Sequence, residues 1–256
     1  MKTIGSKEFW QAAVRADGAG LLAAVSEPGA LTRPVPSCPE WTVGDLARHV
    51  GSFYHRIRLH AGSAGPEERW PPLSIPDEAP AAGEQTLPGW LEAQLAMVEA
   101  HLELLDPDLP TWNWAPQARV AAFWHRRAAH ETAVHRWDAQ LATRLPEPIE
   151  SKLAGDGVAE VLDTFLPGGR RHVDTEAYGL VQLTATDLGH TWYVRLRGAA
   201  VSLLDTDTLL DADEHRTRAA ASGSASDLML SLWGRVPFEV LDTSGDPALL
   251  SALRVG

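Results

Sequence analysis

The first 150 residues carry apolar side chains at three- and four-residue spacing, the period of helices that bury one face. Residues 6–25 predict a first helix, with Ser6 as its cap and Phe9, Ala13, Leu21 and Val25 on one side. After a proline-rich connection (Pro28, Pro34, Pro36, Pro39), a second helix starts at Thr42, with Asp45 as the N3 acid of a capping-box-like pair. Its stripe runs Leu46, Val50, Phe53, Ile57. Glycines and prolines over 61–89 predict a long connection. Two more helices follow, at about 88–105 and at about 116–142 with Pro116 near its start. Four amphipathic helices with long connections predict a helix bundle over 1–148.

The pattern changes after Pro148. Residues 151–166 are one further helical stretch, and then a period of two appears. Leu180–Thr186 and Trp192–Arg197 read as strands joined by a turn at Asp187-Leu188-Gly189-His190. A helix over 224–233 has Ser224 as cap and Asp227 at N3. A short strand is expected around Phe238–Leu241, then a last helix with Asp246 as cap and Pro247 at N1. The fold class is therefore mainly α plus α+β, with a small α+β domain over 149–256.

The 256 residues carry 22 basic and 34 acidic side chains, a net charge of −12, which argues against binding nucleic acid or an anionic membrane. Cys38 is the one cysteine, so no internal disulfide forms and no cysteine-rich zinc ribbon is present; a small buried hydrophobe is its expected role. No apolar run reaches membrane-spanning length, and the first residues lack a signal-peptide core, so a cytoplasmic monomer is expected. Lysine occurs three times, and arginine supplies the other basic groups. The ten tryptophans include Trp112, Trp114, Trp124 and Trp137, which either fill a core or line a pocket.

Ionisable residues inside apolar stripes carry the chemistry. His49 shares the inward face of Leu46 and Phe53. On the fourth helix, Glu131, His135 and Asp138 fall at about 0°, +40° and −20° around the axis at roughly 100° per residue. Glu131 could instead pair with Arg127 one turn earlier, and His135 could be a satisfied core histidine. Jointly, however, His49, Glu131 and His135 offer the His₂Glu donor set of a catalytic zinc site with an open fourth position. His130-Glu131 fails the metalloprotease pattern, because His130 lies a quarter-turn away and position 134 is Val134. His55, His101 and His125 are expected at the surface or in packing.

Three segments carry a resemblance. Cys38-Pro39-Glu40-Trp41-Thr42-Val43-Gly44-Asp45-Leu46-Ala47-Arg48-His49-Val50-Gly51, His130-Glu131-Thr132-Ala133-Val134-His135-Arg136-Trp137-Asp138-Ala139, and Ser226–Arg235 with Gly245-Asp246 occur in the order of the mycothiol-dependent maleylpyruvate isomerase family, which this chain resembles. The resemblance implies a DinB-like four-helix bundle followed by a sterol-carrier-like α+β domain. It places metal ligands at His49, Glu131 and His135, a functional acid at Asp138 and a C-terminal functional arginine at Arg235. It further implies zinc or another divalent metal, mycothiol as thiol cofactor, and a small electrophilic substrate. The arginine-rich composition suits an actinobacterial source. Thiolate addition to a cis-alkene conjugated to a carbonyl, rotation and elimination give the trans isomer; addition without elimination is S-transfer. A zinc hydrolase using metal-bound water and a non-catalytic ligand-binding protein are the competing readings.

Overall fold

The computed structural model describes residues 5–63, 65–169, 177–198, 200–204 and 218–255. The chain forms two compact units, Met1–Ile149 and Glu150–Gly256. In the first, α1 (Lys7–Val25), α2 (Val43–His60), α3 (Leu87–Leu104) and α4 (Ala122–Thr143) form a bundle. Helix α1 packs on α3 and α4, and α2 packs on the same two helices, so α1 and α2 lie diagonally across the bundle. The diagonal step requires the long connection between them.

Local sequence sets these helices. The Ser6 side chain accepts the Phe9 amide. The Thr42–Asp45 capping box is complete: Thr42 Oγ1 accepts the Asp45 amide at 3.2 Å and Asp45 Oδ2 accepts the Thr42 amide at 2.9 Å. Leu46, Val50 and Ile57 are fully buried and Phe53 nearly so, as the stripe predicts.

Three features of this unit differ from the sequence reading. The proline-rich connection contains a small hairpin, β1 (Pro34–Val35) paired antiparallel with β2 (Cys38–Thr42), and β1 packs on α4. Helix α4 begins at Ala122, not near Pro116. Residues 107–121 are held in a loop by Thr111 N–Arg119 O, Ala121 N–Leu109 O and Ala122 N–Pro107 O hydrogen bonds of 2.8–2.9 Å. Trp124 Nε1 then donates to the Trp112 carbonyl, and Trp70 from the 61–86 connection stacks on the Trp124 ring at 4.1 Å. Helix α4 is not amphipathic: nearly every side chain from Phe123 to Gln140 is buried, including Arg126, Arg127, His130 and Arg136. Arg136 is satisfied by Asp17, Gln140 and the carbonyls of Glu147 and Pro148.

In the second unit α5 (Ser151–Glu160) runs into a π-helical turn at Val161–Phe165. A five-stranded sheet follows, built from β3 (Ala177–Ala185), β4 (His190–Gly198), β5 (Ala200–Leu204), β6 (Arg218–Gly223) and β7 (Asp242–Gly245), in the order β5-β4-β3-β6-β7. The two expected strands pair as the β3–β4 hairpin, with Leu183 opposite Trp192 and Val181 opposite Val194, and His190 belongs to the strand rather than the turn. Strand β6 pairs parallel with β3. Helices α6 (Ala225–Leu232) and α7 (Pro247–Ser251) pack on β3 and β6, and α5 packs on α6. Ser224 and Asp246 cap α6 and α7 as predicted. The strand expected at Phe238–Leu241 is instead a 3₁₀ turn, Phe238–Val240, and pairing begins at Asp242.

Candidate metal centre

Helix α2 delivers His49, and one face of α4 delivers Glu131 and His135. The ligand atoms of these three residues lie within 4.8 Å of one another. Glu131 Oε1 accepts from His49 Nε2 at 2.9 Å and faces His135 Nε2 at 3.3 Å. Glu131 Oε2 points the other way and accepts from Arg127 Nη2 at 2.7 Å. Glu131 therefore pairs with Arg127 through one oxygen and faces the two histidines with the other. The His49 and His135 rings meet edge-on, with centroids 5.0 Å apart.

Behind His135, its Nδ1 donates to Asp138 Oδ2 at 2.9 Å. The other oxygen of Asp138 accepts from Ser37 Oγ at 2.5 Å, and the Asp138 side chain is fully buried. Such a carboxylate fixes a histidine's ring orientation and leaves Nε2 facing the site. The hairpin reaches the same place a second time, because the Trp41 ring lies 4.8 Å from the His49 ring and 6.2 Å from that of His135.

Electrostatics follow from this packing. Burial alone raises a carboxyl pKa, but the charges of Arg127 and His135 and the hydrogen bonds from both histidines reverse that, holding Glu131 well below the usual carboxylate range. For His135, burial disfavours the imidazolium, yet the Glu131 charge and the Asp138 hydrogen bond outweigh it and raise the pKa. The cluster is thus a set of preformed anionic and imidazole donors, joined by protons where a cation would sit.

The donor set fits a divalent metal. Ligand bonds of about 2.0–2.1 Å at a tetrahedral ion put donor atoms roughly 3.3 Å apart. The His135–Glu131 separation is 3.3 Å and the His49–Glu131 separation 2.9 Å, with all three donor atoms within 4.8 Å, so the two histidines would draw together on a common ion.

Arg235 belongs to the second unit, just beyond α6, where its Nη1 donates to the Trp233 carbonyl at 2.9 Å. His101 Nε2 donates to the Ala61 carbonyl, and His55 contacts Arg58 and Glu78, both packing roles. His125 is buried in packing, and burial with the nearby Lys7 charge pushes its pKa down to about 4. Cys38 is half-buried on β2 rather than enclosed. Sequence reasoning missed Ser37, which sits in a proline-rich stretch with no periodic signal. It also gave Trp41 no role, although Trp41 lies in the first quoted motif.

Two solved structures share this architecture: a mycothiol-dependent maleylpyruvate isomerase and a histidine-to-alanine mutant of the mycothiol-dependent maleylpyruvate isomerase. Each is 15% identical, with a TM-score of 0.63 over 95% of this chain and 96% of the other, which shows a common fold. No curated protein matches the chain by sequence. Residues 11–140 match the model of the mycothiol maleylpyruvate isomerase N-terminal domain, and residues 152–252 match that of the MDMPI C-terminal domain. With both halves matched in order, the chain belongs to the mycothiol maleylpyruvate isomerase family.

Proposed function

We propose that this protein is a metal-dependent isomerase that uses the thiol of mycothiol to convert a cis-enoyl acid of the maleylpyruvate type to its trans isomer. The observation carrying this reading is the convergence of His49, Glu131 and His135 on one point of the bundle. These three residues would hold a divalent cation, zinc by donor type, which when bound lowers the pKa of a coordinated thiol to give thiolate at neutral pH.

The chain's own residues prepare that site. Arg127 keeps Glu131 ionised and fixes one of its oxygens. Asp138 accepts a hydrogen bond from Nδ1 of His135, so that Nε2 faces the donors across the site. Trp41 lays an aromatic wall against His49, limiting water on that side. Arg235 is assigned the substrate carboxylate, because a guanidinium offers the two-point grip that a carboxylate matches. Cys38 takes no part, since the nucleophile comes from the cofactor.

The test is turnover of maleylpyruvate by metal-loaded protein with and without mycothiol, beside His49→Ala and Cys38→Ala. Thiol-dependent isomerisation, retained in Cys38→Ala and lost with the metal in His49→Ala, supports the reading. Isomerisation without thiol, or a stable thioether product in place of the trans acid, overturns it.

A further inference from the structure

The sheet of the second unit carries a cavity of about 460 Å³ that the isomerase reading does not use. Leu180, Gln182, Tyr193, Arg218, Ala220 and Ser244 line it, drawn from β3, β4, β6 and β7. Strand pairing puts all six on one face. Tyr193 lies opposite Gln182, Gln182 opposite Ala220, and Ala220 opposite Ser244, one row across four strands. Two residues along, Arg195, Leu180 and Arg218 form the neighbouring row. Val181, Leu183, Ala219 and Ala221 alternate with these positions and are the buried side of the sheet. We propose that this cavity binds a small organic acid, with the Arg218 guanidinium on its carboxylate and a compact apolar body over Leu180 and Ala220. The lining residues belong wholly to the second unit and include neither the metal-centre residues nor Arg235, so this ligand goes beyond the isomerase reading.

Strand β6 makes the space. Neighbouring strands stand about 4.8 Å apart, and the β-branched or aromatic residue usual in a strand would fill the gap between Gln182 and Ser244. Position 220 offers a methyl group instead, which leaves a trough along β6. Gly245 keeps the end of that trough low. Its φ is +82°, and a Cβ there would run into the Arg218 carbonyl. The same carbonyl accepts from the Asp246 amide at 3.0 Å, while β6 starts its pairing with β3 at Arg218 opposite Leu180. The backbone that carries Arg218 is therefore fixed on both sides.

The chemistry of the lining selects the ligand. A solvated sheet face alternates polar side chains with the core. Here Leu180 lies in the middle of that face and is 9% exposed, so the cavity has an apolar floor. Arg218 is the cation among the lining residues; it is exposed, and among the described residues its guanidinium makes no hydrogen bond or ion pair. The Tyr193 and Ser244 hydroxyls and the Gln182 amide supply hydrogen-bonding groups beside it. A guanidinium grips a carboxylate at two points, and an apolar floor with a few polar groups around it is the usual make-up of a small-molecule site. A phosphate, wholly polar, would gain nothing from Leu180 and Ala220.

The experiment titrates 4-fluorobenzoate into the full-length, metal-free protein and reads binding by ¹⁹F NMR. The neutral analogue 4-fluorobenzyl alcohol and inorganic phosphate as competitor test the two halves of the ligand. Half-saturation at or below about 1 mM is expected for an acid of about ten heavy atoms. The alcohol should bind at least about tenfold more weakly, and Arg218→Gln should weaken the acid by at least about tenfold. Ala220→Leu should abolish binding by filling the trough. His49→Ala and Arg235→Ala should bind the acid within about twofold of wild type, because neither residue lines the cavity. Thermal melts report folding; should Ala220→Leu fail to fold, the Arg218→Gln and alcohol comparisons carry the test. No saturation by about 10 mM acid overturns the inference. Equal binding by Arg218→Gln, equal binding of the alcohol, displacement of the acid by an equimolar amount of phosphate, or loss of binding in Arg235→Ala or His49→Ala does so too. The isomerase reading is tested by turnover and is untouched by any of these results.

Discussion

Replacing Asp138 by alanine removes one buried acceptor from two donors at once. His135 Nδ1 loses a partner at 2.9 Å and Ser37 Oγ loses one at 2.5 Å. A hydrogen bond to a charged acceptor contributes about 1.5–3 kcal/mol, and the Asp138 side chain is fully enclosed. Release of the carboxylate's own desolvation cost offsets part of the loss, so a net destabilisation of roughly 2–4 kcal/mol is expected. For a unit of this size that lowers the melting temperature by about 4–16 °C, at about 2–4 °C per kcal/mol. The second effect is separate from stability. His135 loses the group that orients its ring, and loss of such a partner weakens metal binding by about 10–100-fold. Asp138→Asn keeps an oxygen for Nδ1 but no charge, and should fall between alanine and wild type on both scales. Metal affinity is measured by chelator competition with Zn²⁺, below the melting temperature of every variant, and stability by the thermal melt of the metal-free form. An Asp138→Ala protein that holds zinc within twofold of wild type would refute the positioning argument, whatever its melting temperature.

Thr42→Ala breaks the capping box that starts the helix bearing His49, and should cost about 1 kcal/mol in urea unfolding of the metal-free protein; no change would show that the cap contributes nothing here. Gly44→Ala should destabilise despite alanine's higher helix propensity, because the new Cβ runs into the backbone carbonyl of Ala82. Faster proteolysis within 66–86 would report the displaced connection, and a more stable variant would contradict the packing. His125 has a folded pKa near 4 against an ordinary value of 6.5, so its neutral form is the one that folding favours. Its contribution is complete above pH 6.5 and is lost as pH falls toward 4. Stability measured between pH 7 and 4.5 should therefore fall less steeply in His125→Gln than in wild type, and equal slopes would exclude the histidine as the cause.

Much of the fold is written locally. Ser6, the Thr42–Asp45 pair, Ser224 with Asp227, and Asp246 with Pro247 are helix starts whose cap partners lie within three residues, so no distant contact is needed to read them. The β3–β4 hairpin is equally local, with alternation around a tight turn. The choice of His49, Glu131 and His135 also needed only local geometry. Two donors one helical turn apart, and a third on the inward face of another helix, are polar groups that burial penalises unless something binds them.

What the tertiary structure decided involves partners far apart in sequence. The Arg218–Gly223 strand, RAAASG, has neither alternation nor β-branched residues, and it is a strand because β3 and β7 lie on either side of it. Helix α4 starts late because the Pro107 and Leu109 carbonyls take the Ala122 and Ala121 amides, and the Thr111 amide takes the Arg119 carbonyl, groups that an earlier turn would have used. The burial of Arg136 could not be foreseen from a helical wheel, since the Asp17 carboxylate and the Glu147 and Pro148 carbonyls that satisfy it are brought there by the fold. Ser37 meets Asp138 across 101 residues of chain, and Trp41 meets His49 because a two-strand hairpin too short to show a period folds onto α4. The donors of the site follow from spacing along a helix. Their hydrogen-bond partners, which set orientation and charge, come from chain crossings that no local pattern encodes.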